Sequence, residues 1–255
     1  MLKDDLANEL KRLRLPAMAD NLDSRCRQAE ESKLGYLEFT QLLVQDELAS
    51  RESNSFQKRL KSAGVSTRMT FETFDFEFNN AVLPAQTIHD IASCRFIEQH
   101  RNLVLAGPPG IGKSHIAHAV GHEAARRGLD VVVFKTHKLL EHLVPDRFSS
   151  KRSQILLKRC ITAGLLILDD FAFRLYSQQE TELLYTLSDE RLQEGSIVIT
   201  SNRPPEDWFS IFPDQIVGGA IMDRLVSGAV KLIVTSGRSY RKEGIPTVLV
   251  AEHAA

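Results

Sequence analysis

The pattern of apolar and polar positions divides the chain into two parts. Up to about residue 68 the apolar residues recur at helical spacing, without the alternation typical of strands, in a segment rich in Leu, Glu, Lys, Arg and Gln. These positions include Leu6, Leu10, Leu13, Leu37, Leu42, Leu43 and Leu48. The pattern predicts a small helical N-terminal domain over 1–68. Gly64 and the stretch 67–73 predict a linker into a second domain over 69–255.

The second part of the chain alternates short apolar runs with helical stretches. The runs cover residues 103–106, 131–134, 165–168, 197–200 and 232–235. Short apolar runs separated by helices are typical of a parallel sheet that is covered on both faces. We therefore predict an α/β fold, in which ligands bind at the carboxyl ends of the strands.

Four phenylalanines precede the first apolar run at close spacing. They are Phe71, Phe74, Phe76 and Phe78. The spacing fits an edge strand, a cover over a bound base, or ordinary core aromatics, and the last is the interpretation that we favour.

The sequence Gly-Pro-Pro-Gly-Ile-Gly-Lys-Ser, between a predicted strand and a predicted helix, is the most informative motif of the chain. It matches the P-loop pattern GxxxxGK(S/T) at every specified position. The residues are Gly107, Pro108, Pro109, Gly110, Ile111, Gly112, Lys113 and Ser114, followed by His115. The motif and its context predict a site for a nucleoside triphosphate, with ATP as the expected ligand.

Each part of this loop has a physical role. Glycines let backbone N–H groups face phosphate oxygens, and the N-terminus of the following helix adds positive potential. We expect Lys113 to contact the β- and γ-phosphates and Ser114 to ligate Mg²⁺. The alternative is a glycine-rich turn that only caps a helix.

Two carboxylates end the third apolar run. Asp169 and Asp170 follow Leu-Leu-Ile-Leu, which places acids at the carboxyl end of a buried strand beside the P-loop. We expect Asp169 to hold Mg²⁺ and Asp170 to orient or deprotonate the attacking water. The alternative is an Asp pair that caps the following helix.

Two further residues complete the predicted catalytic set. Asn202, at the tip of the fourth run, is placed to sense the γ-phosphate or hold the water, although asparagine is also a common turn residue. Arg224 is a candidate arginine finger for a neighbouring subunit. Its alternative is a surface salt bridge with Asp223 or another acid.

Taken in order, these motifs resemble the IstB-type ATP-binding helper proteins of bacterial insertion sequences, which are related to DnaC-type helicase loaders among the AAA+ ATPases. The resemblance covers nearly the whole chain. The segments that carry it are 13–19, 74–76, 107–115, 165–171, 199–204, 220–225 and the Gly-Arg-Ser-Tyr-Arg run at 237–241.

The resemblance implies an AAA+ ATPase that assembles on double-stranded DNA as a homo-oligomer when ATP is bound and assists a cognate transposase. In similar proteins the P-loop lysine and the two acids, here Lys113, Asp169 and Asp170, serve hydrolysis, and an arginine of the next protomer completes the site. Asp170 stands where many AAA+ proteins have glutamate. The shorter side chain favours slow hydrolysis, with ATP acting chiefly as an assembly signal.

The C-terminal part leaves little room for the helical lid of many AAA+ proteins. Only about fifty residues follow Asn202. We expect the lid domain to be absent or minimal, so that neighbouring subunits help to retain the nucleotide. Arg238 and Arg241 flank Tyr240 and either contact nucleotide or DNA or close a structural network.

Composition indicates a cytoplasmic protein without a membrane segment. The net charge of −1 gives no overall attraction for nucleic acid, so DNA contacts must be local. Cys26, Cys94 and Cys160 lack CxxC spacing and fit reduced thiols. No segment approaches the roughly 20 apolar residues that cross a bilayer, and the N-terminus does not read as a signal peptide.

Two basic clusters are candidates for contacts to DNA phosphates without base preference. One lies between the second and third apolar runs and includes Lys135, Lys138, Arg147, Lys151, Arg152, Lys158 and Arg159. The other includes Arg51, Lys58, Arg59, Lys61 and Arg68. The alternative for each cluster is a solvated helix face.

Three other functions remain open at this point. A replicative helicase loader would share the ATPase core and differ in the helical domain. A small-molecule kinase would need an acceptor pocket and its own lid, and Asn202 and Arg224 would then have no natural role. A scaffold that binds ATP without hydrolysing it is the third, motivated by Asp170.

Overall fold

The computed structural model describes residues 2–144, 150–192 and 194–243. The chain divides into two compact units, Met1–Lys58 and Arg59–Ala255. The division therefore falls within the third helix, earlier than the predicted boundary at residue 68. The reason is that the last residues of this helix, from Arg59 on, make their contacts in the second unit: Arg59 Nε donates to Ala125 O at 2.8 Å.

The first unit is helical, as predicted. Its helices are α1 (Leu2–Arg12), α2 (Pro16–Ser32) and α3 (Tyr36–Ala63), the last of which continues into the second unit. Helix α2 begins with Pro16 at its first position, where the missing N–H costs nothing. Leu15, which precedes it, offers no side-chain cap.

Glu47 of α3 caps helix α2 instead. Its Oε2 accepts the backbone N–H groups of Ala17 at 2.9 Å and Met18 at 3.3 Å, so a carboxylate lies at the positive end of the α2 dipole. Arg51 donates to Glu47 at 2.8 Å and to Arg14 O at 2.7 Å. The Arg51 guanidinium lowers the pKa of Glu47, and the two backbone donors add to this shift.

The second unit is an α/β domain with five strands. They are β1 (Leu103–Ala106), β2 (Val131–Lys135), β3 (Leu165–Phe171), β4 (Ser196–Ser201) and β5 (Val230–Ile233). Its helices are α4 (Ala85–Ala92), α5 (Arg95–Glu98), α6 (Lys113–Arg126), α7 (Thr136–Leu143), α8 (Lys151–Thr162), α9 (Gln178–Glu190), α10 (Gln215–Val226) and α11 (Tyr240–Glu243), with a 3-10 helix at Pro205–Ile211.

All strand pairs are parallel, in the order β2-β3-β4-β1-β5. The prediction of five strands is confirmed, but β5 begins two residues before the predicted run because Val230 pairs with Leu103. Residues of β1, β3 and β4 are buried almost without exception. On one face Gly121 lets α6 approach closely, since a Cβ there would lie 2.9 Å from Ile167 Cδ1.

The four predicted core aromatics are neither core residues nor part of a strand. Residues 71–82 form turns and bends, and Phe71, Phe74, Phe76 and Phe78 are all half-buried. Phe74, Phe76 and Phe78 line a cavity above the P-loop. The sequence does not distinguish an aromatic cavity wall from an aromatic core, because both use the same residue types.

After β5 the only helix among the described residues is α11, of four residues, and the expectation of an absent or minimal lid stays a prediction. Arg191, almost fully buried, anchors the C-terminus of α8: it donates to Cys160 O at 2.7 Å and Ala163 O at 2.8 Å. A cation at these carbonyl groups complements the negative end of the helix dipole. Helix α8, with its basic residues, is thereby fixed to the core.

Candidate nucleotide-binding site

The P-loop connects β1 to α6 at the carboxyl edge of the sheet. Gly110 has φ +86°, and a Cβ on it would lie 2.1 Å from Ser239 Oγ. Gly112 has φ +109°, and a Cβ there would lie 3.1 Å from the Phe74 ring. Both positions thus need glycine for their backbone conformation and for the close approach of a neighbouring segment.

Lys113 is buried in this loop. Its ammonium donates to Gly107 O at 2.7 Å, Pro108 O at 2.8 Å and Asn202 Oδ1 at 2.8 Å, which uses all three of its donors. Burial lowers the pKa of Lys113 to about 8, against the opposing charges of Asp169 and Asp170. The lysine is therefore a partly desolvated cation, held in place by oxygen atoms.

Ser114 and Asp169 lie side by side. Ser114 Oγ donates to Asp169 Oδ1 at 2.8 Å, and Thr200 Oγ1 donates to the same oxygen at 2.5 Å. Magnesium prefers such hard oxygen ligands, so the pair fits a Mg²⁺ site. Within the described residues no three His, Cys, Asp or Glu side chains converge as a metal site.

Asp170 follows in an irregular part of β3. Its φ is +55°, in the left-handed region, and the β3–β4 register shifts between Leu168 and Phe171. Its N–H donates to Thr200 Oγ1 at 3.1 Å, and its Oδ2 accepts Lys135 Nζ at 3.0 Å. Asp170 is one of the residues that line the cavity, and its carboxylate pairs with Lys135 at the end of β2.

The cavity has a volume of about 400 Å³. Predicted site residues that line it are Pro109, Gly110, Ile111, Gly112, Lys113, Ser114, His115, Asp170 and Asn202. Its wall also contains Arg68, Met69, Thr73, Phe74, Asp75, Phe76, Phe78, Asn79, Leu83, Tyr240 and Arg241. The sequence indicated two parts of this wall: the Gly-Arg-Ser-Tyr-Arg motif and, as a less favoured interpretation, the phenylalanines as a cover over a base. It gave no signal for the other wall residues.

His115 faces the wall of the cavity. Its Nε2 lies 2.8 Å from Thr70 O, and its ring meets Phe74 edge-on at 5.3 Å. On the same helix, His118 Nδ1 accepts the Ser66 N–H at 3.1 Å. These contacts fasten the stretch from Ser66 to Phe74 along the P-loop helix.

Arg224 is apart from this group. It pairs with Asp189 at 2.8 Å and lies over the Tyr185 ring at 4.8 Å. The salt bridge is of the kind that the alternative interpretation predicts, with Asp189 rather than Asp223 as the acid. The role of Arg224 toward a neighbouring subunit stays a prediction.

A family model supplies the identification. The model described as IstB-like ATP binding protein matches residues 8–245 of this chain. The chain belongs to the IstB-like ATP-binding proteins.

Two curated relatives agree with the assignment of this IstB-like protein. A putative ATP-binding protein in an insertion sequence of Mycobacterium tuberculosis is 38% identical over 245 residues, covering 94% of this chain and 95% of its own. The putative ATP-binding protein of insertion sequence IS21 from Pseudomonas aeruginosa is 32% identical over 232 residues, covering 91% and 86%.

Solved structures show the fold of the IstB-like protein to be that of AAA+ proteins. AMPPCP-bound DnaA from Aquifex aeolicus matches with a TM-score of 0.55 at 20% identity, over 67% of this chain and 51% of that one. DnaI matches with a TM-score of 0.55 at 18% identity, over 65% and 90%. The DnaC helicase loader matches with a TM-score of 0.50 at 21% identity, over 59% and 87%.

The predicted DNA contacts of the IstB-like protein fall into two groups. In the first group the side chains have partners within the fold. Arg159 binds Asp130 and Ser62 O, both at 2.9 Å, and Lys138 binds Glu141 at 2.9 Å. Arg51, Arg59 and Lys135 have the partners described above.

In the second group the side chains are exposed and, within the described ranges, have no hydrogen bond or ion pair. They are Lys58, Lys61, Lys151, Arg152 and Lys158. Arg147 lies outside the described residues. Of the described helices none is long and apolar enough to span a bilayer.

Proposed function

We propose that this IstB-like protein is a Mg²⁺-dependent ATPase of the cytoplasm that assembles as a homo-oligomer on double-stranded DNA when ATP is bound and assists the transposase of its insertion sequence. The observation that carries the proposal is the convergence of Lys113, Ser114, Asp169, Asp170 and Asn202 at one edge of the sheet. This set supplies a cation, metal ligands, an acid and an amide for phosphoryl transfer.

Lys113 is the residue that binds the terminal phosphates. Its three donors now satisfy carbonyl oxygens of Gly107, Pro108 and Asn202. Phosphate oxygens are charged acceptors and make stronger hydrogen bonds to an ammonium group than neutral carbonyls do. When a triphosphate enters the loop, its oxygens would replace these carbonyl oxygens as acceptors and stabilise the buried charge of Lys113.

Asp170 and Asn202 act on the attacking water. When bound, Mg²⁺ would be held by Ser114 and Asp169 and would neutralise charge on the β- and γ-phosphates. Asp170 accepts a hydrogen bond from the water and takes its proton as the water oxygen bonds to the γ-phosphorus and the β–γ bridging bond breaks. Asn202, which accepts a hydrogen bond from Lys113 and lines the cavity beside it, fixes the position of the terminal phosphate.

DNA binding rests on the exposed cations. Helix α8 has no acidic residue and carries Lys151, Arg152 and Lys158. A further exposed cation, Lys61, lies on α3. Cations on a helix surface neutralise phosphates without reading bases, so we propose binding with little sequence preference. The transposase as partner rests on the relatives, which are named as proteins of insertion sequences.

The proposal is tested by fluorescence anisotropy of a random-sequence DNA duplex titrated with the protein in ATP, a non-hydrolysable analogue, ADP or no nucleotide, at one fixed salt concentration. Tight binding only with ATP or the analogue is the expected result. Lys113→Ala is the matched control and should abolish the ATP-dependent gain. Binding that is equal in all nucleotide states, or absent in all of them, would overturn the proposal.

Partner tests then address the helicase loader as the alternative. Co-sedimentation with a cognate transposase is expected, and co-sedimentation with a replicative helicase instead would favour the loader. The structural likeness to DnaC and DnaI shows the fold alone and does not favour either function.

A further inference from the structure

The C-terminal segment 237–241, which we call the strap, lies across the P-loop. Tyr240 N donates to Gly110 O at 3.0 Å, and Ser239 occupies the space that a side chain on Gly110 would need. Gly237 approaches Ile111, since a Cβ on it would lie 3.1 Å from Ile111 Cγ2. The strap brings Tyr240 and Arg241 into the wall of the nucleotide cavity.

Asn79 holds the strap from the opposite side. Its Oδ1 accepts the Arg238 N–H at 3.0 Å, and its Nδ2 donates to Arg238 O at 3.0 Å. One buried side-chain amide thus pairs with both polar groups of one backbone residue 159 positions away. These two hydrogen bonds use one of the two N–H donors of the amide and one of the two lone pairs of its oxygen, and together they fix the amide against the backbone of the strap.

Phe78 completes the attachment. The Arg238 guanidinium lies over the Phe78 ring at 4.4 Å and donates to Phe78 O at 2.9 Å. The Phe78 ring also meets the Tyr240 ring edge-on at 5.0 Å. Asn79 and Phe78 together therefore fix both the backbone of the strap and the aromatic ring that the strap presents to the cavity.

We propose that Asn79 is a positioning residue for nucleotide binding, which acts by holding the strap closed over the P-loop so that Tyr240 and Arg241 contact the nucleotide. The inference rests on the proposed ATP binding and adds to it a residue that acts through the strap. The wall that Phe78 and Tyr240 form is apolar and aromatic, so it suits stacking of a purine base.

The physical argument is one of linkage. Strap closure and nucleotide binding stabilise the same arrangement, so each favours the other by the same factor. Loss of two hydrogen bonds to one backbone residue shifts the strap toward the open form and lowers the apparent affinity for ATP. Saturating ATP in turn draws the strap closed.

Three variants of the full chain separate the possibilities. Asn79→Ala removes both hydrogen bonds. Asn79→Asp keeps an acceptor for the Arg238 N–H and loses the donor to Arg238 O. Asn80→Ala is the matched control, because Asn80 is the neighbouring asparagine and is exposed.

Two measurements apply to each variant: the affinity for ATP with Mg²⁺ by calorimetry, and the rate of tryptic cleavage after Arg238 by mass spectrometry, with and without ATP. We expect ATP affinity to fall about tenfold in Asn79→Ala, to fall less in Asn79→Asp, and to stay within about twofold in Asn80→Ala. Cleavage after Arg238 should be fastest in Asn79→Ala, and ATP should slow it back toward the wild-type rate.

The outcomes are distinguishable. If Asn79→Ala leaves both ATP affinity and strap cleavage unchanged, or if cleavage rises equally at sites throughout the chain and ATP does not restore protection, the positioning role is overturned. If the wild-type protein itself binds no ATP, the proposed function fails. In that case the cleavage rates without ATP still show whether Asn79 holds the strap.

Discussion

At the scale of single residues, Lys113 combines burial with a functional charge. The same desolvation that lowers its pKa to about 8 makes its interaction with a phosphate stronger than it would be in water. The consequence is that the charge of Lys113 depends on pH near the physiological range, whereas an exposed lysine stays charged there.

We therefore predict that ATP affinity decreases as pH rises above about 8. The depressed pKa means that Lys113 loses its proton there, whereas an ordinary lysine stays charged to about pH 10. Phosphate ionisation is complete above about pH 7, so it does not mask the effect. Above the pKa the affinity should fall toward tenfold per pH unit, as measured by calorimetry between pH 7.5 and 9.5.

A flat affinity profile across this window would contradict the prediction. Control titrations of the Lys113→Ala protein should show weak binding without the same fall, because that variant has no ammonium to lose.

The left-handed backbone conformation of Asp170 offers a physical reason why aspartate stands where many AAA+ proteins have glutamate. Asp and Asn are enriched in this region of backbone space because their short polar side chains tolerate it, whereas longer side chains do so less well. The position, in the irregular part of β3, thus favours aspartate for its backbone.

At the scale of elements, the cap of α2 by Glu47 explains the family motif at 13–19. The motif forms the turn between α1 and α2 (13–15) and the first turn of α2 (16–19). A carboxylate of α3 accepts the N–H groups of Ala17 and Met18, because Leu15 offers no side-chain cap. Arg51, predicted to contact DNA, is held in this arrangement by Glu47 and Arg14 O.

Glu47→Gln is expected to lower the melting temperature of the chain at neutral pH by a few degrees, because a neutral amide replaces the charge at the helix N-terminus and beside Arg51. The folded pKa of Glu47 is depressed. Its contribution is therefore complete above the pKa of the unfolded chain and is lost as pH falls through the folded value. Thermal unfolding between pH 7 and 3 should be less pH-dependent in the variant.

Glu52→Gln is the control for this prediction, since Glu52 is an exposed acid on the same helix. An equal shift in both variants would mean that net charge, rather than the cap, is responsible.

The elements also show how far the sequence predicts this structure. Lys113, Ser114, Asp169 and Asn202 were predictable because each lies beside a strand end, and parallel strands bring those ends to one edge. The motif at 237–241 left open whether the strap contacts the nucleotide, and its partner Asn79 was not predictable, because it lies 159 residues away and carries no local signal.

The basic clusters were predictable only as sets. A lysine or arginine that binds a neighbouring acid looks the same in sequence as one that is free for a ligand. Arg59 and Arg159 prove to hold parts of the second unit together, whereas Lys151 and Arg152 are exposed.

At the scale of the whole molecule, the division into paired and exposed cations predicts which side chains contact DNA phosphates. Replacing both Lys151 and Arg152 by Ala should reduce the slope of log K against log salt by about 1.8, since each phosphate contact contributes about 0.9. The measurement is anisotropy of the duplex with ATP at several salt concentrations. An unchanged slope would place the DNA surface elsewhere.

The charge-matched control is the double variant Lys3→Ala and Lys11→Ala, which removes two cations of α1 that pair with Asp23 and Asp20. Its slope should stay at the wild-type value.

A variant of Arg224 tests whether the ATP site is shared between neighbouring subunits. Arg224→Ala should bind ATP normally and lose turnover by about 10³-fold, if the arginine completes the site of a neighbouring copy. Mixing it with the Lys113→Ala protein should restore part of the turnover, because mixed assemblies contain sites with an intact P-loop facing an intact arginine. Steady-state phosphate release measures both.

Asp189→Asn is the control here, because it breaks the salt bridge to Arg224 and keeps the arginine. Turnover that is lost in this variant as well, without rescue on mixing, would assign Arg224 a structural role within its own chain.

The division of α3 between the two units has a practical consequence for excision of the ATPase part. Leu60 and Ala63 are buried, Arg59 donates to Ala125 O, and Ser62 O accepts from Arg159. A fragment that begins at residue 69 would discard all of them, expose apolar surface and leave Arg159 without one of its partners. A fragment that begins at Arg59 retains them. We expect it to express in a folded form, unlike the fragment that begins at residue 69.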